Sequence, residues 1–221
     1  MALMRGKVIP KDAVALDEVG ATEYIWKLVE DWQTTSDVWA LRYSPVILGG
    51  VNAFSGMIIN RFYRQKLKLG NYGYLASVIP ITIMPAAMTT LFHRHLVTTN
   101  ILLMKNESCP ICYEVRSAAI QISLGLAYTM VLGPASSLML ANRFSTARIP
   151  DLLDGPRVMF QYLRKISRPF TGTLTSLLAL QLVASSVFTY YEMKNTFTIR
   201  EKSMELETNL MADEDTNNLD T

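Results

Sequence analysis

The sequence predicts an all-α, four-span helical membrane protein with amphipathic interfacial helices and an acidic, disordered C-terminal tail. Four stretches lack Asp, Glu, Lys and Arg: residues 43–60, 69–93, 117–142 and 169–191. Half of the residues are hydrophobic and only 18% are charged, against about 25% in ordinary soluble domains. A helix of about 20 apolar residues crosses a hydrocarbon layer roughly 30 Å thick, so the last three stretches are long enough and the first is marginal.

These stretches divide the chain into an N-terminal tail (1–42), a four-helix transmembrane domain (43–191) and an acidic C-terminal tail (192–221). The first linker, residues 61–68, carries four basic residues and no acidic one, and the third, residues 143–168, carries six basic and two acidic ones. Basic loops stay on the side of insertion, so we expect these two linkers on the cytoplasmic or matrix side. Both termini and the second linker then lie on the opposite side.

An amphipathic helix is predicted over residues 21–41, because apolar residues recur there with a period near 3.6. This segment holds all three tryptophans, and tryptophan favours the headgroup zone of a membrane. The helix is therefore expected to lie on the membrane before the first span. Docking onto a protein partner is the alternative.

The first span carries a helix-packing face. Gly49, Ala53, Gly56 and Asn60 follow one another at offsets of four, seven and eleven, which places them on one side of a helix. Small residues let a second helix approach closely, and Asn52 can add an interhelical hydrogen bond. The partner is either another span of this chain or a foreign helix.

The other spans contain irregularities but no charge. Pro80 and Pro85 are expected to bend the second span, and Gln181 lies at mid-depth in the fourth. The fourth span also repeats the small-residue pattern, at Gly172, Ser176, Ala179 and Ser186. Ion pathways usually need buried charged groups, so the uncharged spans disfavour a transporter or pump.

The third linker contains a second amphipathic helix that starts near Asp154 and Pro156. Its apolar positions form one stripe, and its basic residues are expected to meet anionic lipid headgroups: Arg157, Arg164, Lys165 and Arg168. Nucleic-acid binding has no support beyond this charge.

Cys109 and Cys112 form a CxxC pair just before the third span and are the only cysteines. Such a pair can form a disulfide, stay reduced, act in redox catalysis or bind metal, and its place on the oxidising side favours the disulfide. His93 and His95 could complete a zinc set, but their spacing points the rings about 200° apart on a helix. We find no catalytic constellation and expect neither an enzyme nor a cofactor. The alternative is a four-helix membrane thiol oxidoreductase, although relays of that kind usually use a second cysteine pair.

Several short segments, in this order, resemble the transmembrane protein 126 family of the inner mitochondrial membrane. They are Gly50-Val51-Asn52-Ala53 with Gly56 and Asn60, then Phe62-Tyr63-Arg64, the CxxC pair with Arg116-Ser117, Arg143-Phe144, and Ser167-Arg168-Pro169. The resemblance extends from about residue 43 to 190 and leaves the tryptophan-rich helix and the acidic tail outside.

The resemblance implies a non-enzymatic assembly factor, or scaffold, for the membrane arm of mitochondrial respiratory complex I, multi-pass in the inner membrane. Its implied partners are membrane-arm subunits and assembly intermediates, together with other assembly factors that include an acyl-CoA-dehydrogenase-like protein. It implies no catalytic role for Cys109 and Cys112.

Overall fold

The computed structural model describes residues 16–104, 109–147 and 156–219, and every regular element in these ranges is a helix. In chain order the helices are α1 (Glu18–Asp31), α2 (Thr35–Lys66), α3 (Tyr74–Leu102), α4 (Pro110–Phe144), α5 (Pro156–Ser167) and α6 (Thr171–Leu219). The all-α prediction is confirmed for this part of the chain.

The long helices form an up-down-up-down bundle around α2. Gly49 of α2 lies against Ala86 of α3 and Gly56 lies against Ile81, so the residue numbers run in opposite directions. Contacts with α6 are also antiparallel, because Ser55 bonds Gln181 while Ser44 bonds Glu192. Contacts with α4 are parallel, from the carbonyl of Leu48 with Gln121 to Ile59 with Gly133. The helix α2 is therefore the centre of the bundle.

Within the described residues, three segments have the length and composition to cross a membrane: Tyr74–Leu102, Pro110–Phe144 and Arg157–Leu206. They contain the predicted third and fourth spans in full and the predicted second span from Tyr74 onward, because the residues just before Tyr74 form the turn between α2 and α3. The first predicted span lies within α2, whose mean hydropathy over a crossing length is lower than that of these three segments. The inward side of α2 is polar, with Ser44, Asn52, Ser55 and Asn60 all buried, and this lowers its hydropathy.

Three π-helical turns interrupt the spans. Ile79–Ile83 and Arg94–Thr98 lie in α3, and Ser123–Tyr128 lies in α4. Pro80 falls within the first of these turns, where the proline removes a backbone donor from the regular ladder. Pro85 lies near the start of the α-helical stretch that follows.

The linkers meet at two opposite ends of the bundle. At the first end, Leu67 and Leu69 pack with Leu138, Ala141 and the apolar side of α5, so the first and third linkers share one end. At the second end, Ile25 and Val29 of α1 pack with residues of α2, α3 and α6: Val38, Leu41, Leu102 and Ile199. The arrangement matches the pairing of linkers inferred from charge.

The N-terminal helix docks onto this second end. Trp26 of α1 donates from Nε1 to Thr99 Oγ1 at 3.2 Å, and the guanidinium of Arg94 lies 4.1 Å from a ring centroid of Trp26. Arg42 donates to the carbonyl oxygens of Val29 and Glu30 near the end of α1. The bundle itself therefore receives one side of α1. The expected placements, on the membrane surface or on a protein partner, stay predictions.

The C-terminal segment differs from the disordered tail that its composition predicts. Helix α6 runs without interruption to Leu219. Residues 173–219 contain neither Gly nor Pro, so no residue breaks the helix after the span. The segment is also held by the bundle, because Ile199 is buried and Lys202 Nζ lies 2.5 Å from Asp37 Oδ2.

Candidate functional site

The small-residue face of α2 lies against α3 of the same chain. Gly49, Asn52, Gly56 and Asn60 are buried, whereas Ala53 is half-buried. A Cβ atom added at Gly49 would lie 2.8 Å from the carbonyl oxygen of Ala86, and one at Gly56 would clash with backbone of α3. This face is therefore occupied within the monomer and does not receive a foreign helix.

A polar layer joins the four long helices at mid-bundle. Asn52 Nδ2 donates to Thr89 Oγ1 at 2.5 Å, and Gln181 Nε2 donates to Ser55 Oγ at 2.9 Å. Gly125 of α4 lies between them, and a Cβ atom there would be 2.7 Å from both Asn52 Cγ and Gln181 Nε2. Such bonds inside a membrane bundle contribute about 0.6–2 kcal/mol each, so the layer fixes how the helices pair.

The structure also buries a histidine and an acidic residue, His93 at the end of the second charge-free stretch and Glu192 directly after the fourth. His93 and Glu192 are both 0% exposed, and His93 Nε2 lies 3.0 Å from Glu192 Oε1. The same carboxylate oxygen accepts from Thr98 Oγ1 at 3.1 Å and from the hydroxyl of Ser44. One acidic side chain thus ties α6 to α2 and α3.

The second ring nitrogen of His93 continues this cluster into α4. Ser117 Oγ lies 3.4 Å from His93 Nδ1, and Ser185 Oγ donates to Ser117 Oγ at 3.0 Å. The sequence contains a signal for this burial, because Gln181, Ser185 and Glu192 follow at offsets of four and eleven along one side of α6. His95 is exposed, which separates it from His93.

Within the described residues, no group of three or more His, Cys, Asp or Glu side chains comes together as a metal site would need. The cluster around Glu192 supplies hydroxyl groups and one imidazole instead. Its chemistry is that of a hydrogen-bonded acid–base pair.

Cys109 and Cys112 are joined by a disulfide, with their Cα atoms 5.4 Å apart. Cys109 precedes α4, Pro110 occupies the first turn, and the backbone N–H of Cys112 donates to the Cys109 carbonyl oxygen at 3.1 Å. Cys112 is exposed, while its neighbour Tyr113 is buried and donates to the Asn100 carbonyl oxygen. The pair closes the turn that starts α4 at the second end of the bundle.

The four basic side chains predicted to face lipid are exposed on α5 and at its C-terminal end: Arg157, Arg164, Lys165 and Arg168. The apolar side of α5 packs on the first end of the bundle through Met159, Tyr162, Leu163 and Ile166. The helix therefore uses its apolar side for the protein and turns its charges outward.

Arg64 behaves differently from the other basic residues of its linker, because it is 5% exposed. Its Nη2 donates to the carbonyl oxygens of Gly70 at 2.7 Å and Tyr72 at 2.9 Å, and its Nη1 donates to Ser77 Oγ at 2.9 Å. Burial lowers the pKa of Arg64 below its ordinary value, but guanidinium groups stay protonated in proteins. Arg64 thus organises the turn between α2 and α3.

The small-residue face of α6 points away from the bundle. Gly172, Ser176, Ala179 and Ser186 are all exposed, and nothing lies within 4 Å of a Cβ atom added at Gly172. The buried residues of the same helix, Gln181 and Ser185 among them, lie on its opposite side. A second helix could approach closely along this outer face.

Comparison with known proteins shows the family to which this chain belongs. A family model described as Transmembrane protein 126 matches residues 21–209. The chain belongs to this family. The match starts in α1 and ends in the extension of α6, so the tryptophan-rich helix and part of the acidic tail lie inside the family region, contrary to the narrower resemblance drawn from short segments.

Individual members of the transmembrane protein 126 family are also similar to this chain in sequence. Transmembrane protein 126 of Drosophila melanogaster is 39% identical over 209 residues, which cover 94% of each chain. Transmembrane protein 126A of Mus musculus is 26% identical over 68% of this chain and 74% of its own length. That of Rattus norvegicus is 28% identical over 61% of this chain and 65% of its own length. No solved structure matches the chain.

Proposed function

We propose that this protein is a non-enzymatic assembly factor, a scaffold for the membrane arm of mitochondrial respiratory complex I, with four spans in the inner membrane. Membership of the transmembrane protein 126 family supports the proposal, and so does a bundle that contains three apolar candidate spans. The observation that carries the scaffold role is the outward small-residue face of α6, since it leaves a surface for close helix contact inside the lipid.

Aromatic contacts support α2 as a membrane-crossing helix in addition to the three candidate spans. Trp39 packs near Phe188 at 6.4 Å and Tyr191 at 5.4 Å between ring centroids, whereas Phe62 stacks on Phe170 at 4.3 Å. Trp39 and Phe62 are 23 positions apart in one helix, a rise of about 34 Å. Aromatic residues gather at the two interfaces of a bilayer whose core is about 30 Å thick. Helix α2 then crosses the same layer as α6, shielded by its neighbours.

In this mechanism the scaffold holds a hydrophobic membrane-arm subunit against α6 while other subunits are added. The polar faces of α2 and α4 are engaged within the monomer, so partner helices meet the outer surface. Assembly intermediates and other assembly factors, including an acyl-CoA-dehydrogenase-like protein, are the proposed partners. The basic side chains of α5 meet anionic lipids, at about 1 kcal/mol per residue near the surface.

A depletion and rescue experiment tests the proposal. Cells that lack the protein should accumulate membrane-arm intermediates on native gels, and the wild-type chain should restore complex I. Ala179→Leu adds bulk to the outer face of α6 and should impair rescue, with less co-purification of membrane-arm subunits. Ala135→Leu is the matched control, because it adds the same bulk at an exposed position of α4. Unchanged complex I after depletion would refute the role, and equal rescue by both variants would refute the α6 surface.

A further inference from the structure

We propose that the first end of the bundle binds an anionic phospholipid at the seam between α2 and α6, which is defined here by Phe62 and Phe170. Lys66 and Arg168 hold the lipid phosphate, and the acyl chains lie on the exposed apolar side of α2. The inference rests on the proposed membrane crossing of α2, but it does not depend on a role in complex I assembly.

Two exposed basic residues flank this seam. Phe62 stacks on Phe170, with 4.3 Å between the ring centroids. Lys66 follows Phe62 by one helical turn, and its Nζ lies 5.7 Å from the centroid of the Phe62 ring. Arg168 belongs to the same short 3₁₀ turn as Phe170. Both basic side chains are exposed, so two segments of the chain bring positive charge to the same aromatic stack.

A hydrogen bond fixes these two segments relative to each other. The hydroxyl oxygens of Tyr63 and Ser167 lie 2.6 Å apart, and Tyr63 is 1% exposed. Ser167 directly precedes Arg168, and Tyr63 lies within one turn of Lys66. The backbone that carries the two basic residues is therefore already in place, and binding has to order side chains alone.

The depth of the seam matches the headgroup zone of a bilayer. Phe62 and Phe170 mark one edge of the hydrocarbon layer in the proposed crossing. Lys66 lies four residues beyond Phe62, a rise of about 6 Å. The polar zone on each side of the hydrocarbon core is about 5–8 Å deep. The ammonium group of Lys66 therefore lies at the depth of lipid phosphates.

The charge around the seam favours an anionic headgroup. Among the ion pairs of the described residues, none involves Lys66 or Arg168. The acids nearest to the aromatic stack along α2 and α6 are Asp37 and Glu192, at least 22 positions away, which is about 33 Å in a helix. A headgroup that carries choline or ethanolamine would add positive charge to a place that is already basic. At the second end of the same two helices Asp37 pairs with Lys202, so the site belongs to one leaflet.

Apolar surface beside the basic residues distinguishes a lipid from a soluble anion or an acidic protein segment. Phe54 and Met57 of α2 are 53% and 51% exposed. Arg61 is exposed in line with them, one turn after Met57. A long Arg side chain can extend its charge along the helix toward the headgroups. An amphiphile with a negative head and apolar chains matches this order of side chains, whereas a soluble anion would meet only the basic residues.

Native mass spectrometry tests the site on the full chain, purified in detergent with equimolar phosphatidylglycerol and phosphatidylcholine. The wild-type chain should retain phosphatidylglycerol in preference to phosphatidylcholine. The double variant Lys66→Gln, Arg168→Gln should lower the affinity for phosphatidylglycerol at least about tenfold. The control is Lys68→Asn with Arg143→Gln, which also removes two exposed positive charges at this end and should retain most of the affinity. Asn is chosen because the φ angle of Lys68 is 53°, which Asn tolerates.

Equal retention of the two lipids by the wild-type chain would overturn the proposal without any variant. Equal weakening by the seam and control variants would also overturn it, since only the total charge would then matter. The variant Lys66→Arg, Arg168→Lys keeps both charges and should keep the lipid, and loss of the lipid there would contradict the site. Displacement of the lipid by an equimolar amount of inorganic phosphate would reveal a soluble-anion site instead. Because the measurement uses the purified chain, a negative result leaves the complex I role to its own depletion test.

Discussion

Two adjacent glycines of α2 give a direct test of how the bundle is packed. Gly49 faces α3, where an added Cβ would clash with the hydroxyl of Thr90 and lie 2.8 Å from the carbonyl oxygen of Ala86. Gly50 is exposed, and nothing lies within 4 Å of its added Cβ. The variants Gly49→Ala and Gly50→Ala therefore add the same methyl group to the same turn at positions about 100° apart around the helix, one against α3 and one exposed.

The expected free energies follow from two opposing effects. Replacing Gly by Ala inside a helix stabilises it by about 1 kcal/mol through backbone entropy. Overpacking a tight contact costs about 1–3 kcal/mol. Gly50→Ala should then be up to about 1 kcal/mol more stable than the wild type. Gly49→Ala should be less stable than Gly50→Ala by about 1–3 kcal/mol, since the helix-propensity gain cancels between them.

Thermal unfolding of both variants in detergent micelles, followed by circular dichroism, measures this difference. For a chain of this size, 1 kcal/mol corresponds to about 2–4 °C in Tm. We expect Gly49→Ala to melt below Gly50→Ala by about 2–12 °C. Equal melting temperatures would refute the seating of α3 against this side of α2.

Three further predictions concern the ends of the bundle. Arg64→Lys should lower the free energy of unfolding by about 1–3 kcal/mol in a chemical denaturation assay, because one ammonium cannot reach all the oxygen atoms that the guanidinium bonds. Arg61→Lys, at an exposed position, is the control and should have little effect in that assay. The hydrogen bond from Lys202 holds the pKa of Asp37 below its ordinary value of 3.8, so the ion pair stabilises the fold above that pH and is lost as the pH falls through the lowered pKa. Asp37→Asn should therefore destabilise the chain at neutral pH and show a smaller acid-induced loss of Tm; an unchanged acid limb would contradict the pairing. Replacing both Cys109 and Cys112 by Ser should leave rescue of complex I intact, whereas the rival thiol oxidoreductase requires that rescue be lost.

Apolar stretches predicted part of this fold well. The segments 117–142 and 169–191 lie within the candidate spans, and the segment 69–93 does so from Tyr74 onward, because lipid-facing surfaces keep these helices apolar over a full crossing. The charge of the linkers also indicated which ends lie together. Both signals are local sums over a segment, and such sums do not depend on how a helix is rotated.

These sequence signals do not determine how each helix is rotated about its own axis, and hence which side chains face the core. Each predicted span ends at the first charged residue, so Glu192 falls outside the predicted membrane domain. In the structure it faces the core on the same side of α6 as Gln181 and Ser185. The composition of the tail predicted disorder because it counts charges, whereas contacts with α1 and α2 bury Ile199 and pair Lys202. These contacts come from α6 continuing past the bilayer, a tertiary effect that composition does not record.

Helix α2 is less apolar over a crossing length than the candidate spans of α3, α4 and α6, and it buries its polar side. This arrangement locates the proposed partner surface. Asn52, Ser55 and Asn60 of α2 are at most 2% exposed, so polar side chains of the kind that drive helix association in lipid are turned into the monomer. A partner helix then finds apolar surface around most of the bundle, and apolar surface gives little preference over lipid tails. The outer face of α6 is different, since the small exposed residues Gly172 and Ser176 allow the backbone of a partner helix to come close to that of α6. Association should therefore depend on close packing at α6, and added bulk there should impair it more than added bulk at Ala135.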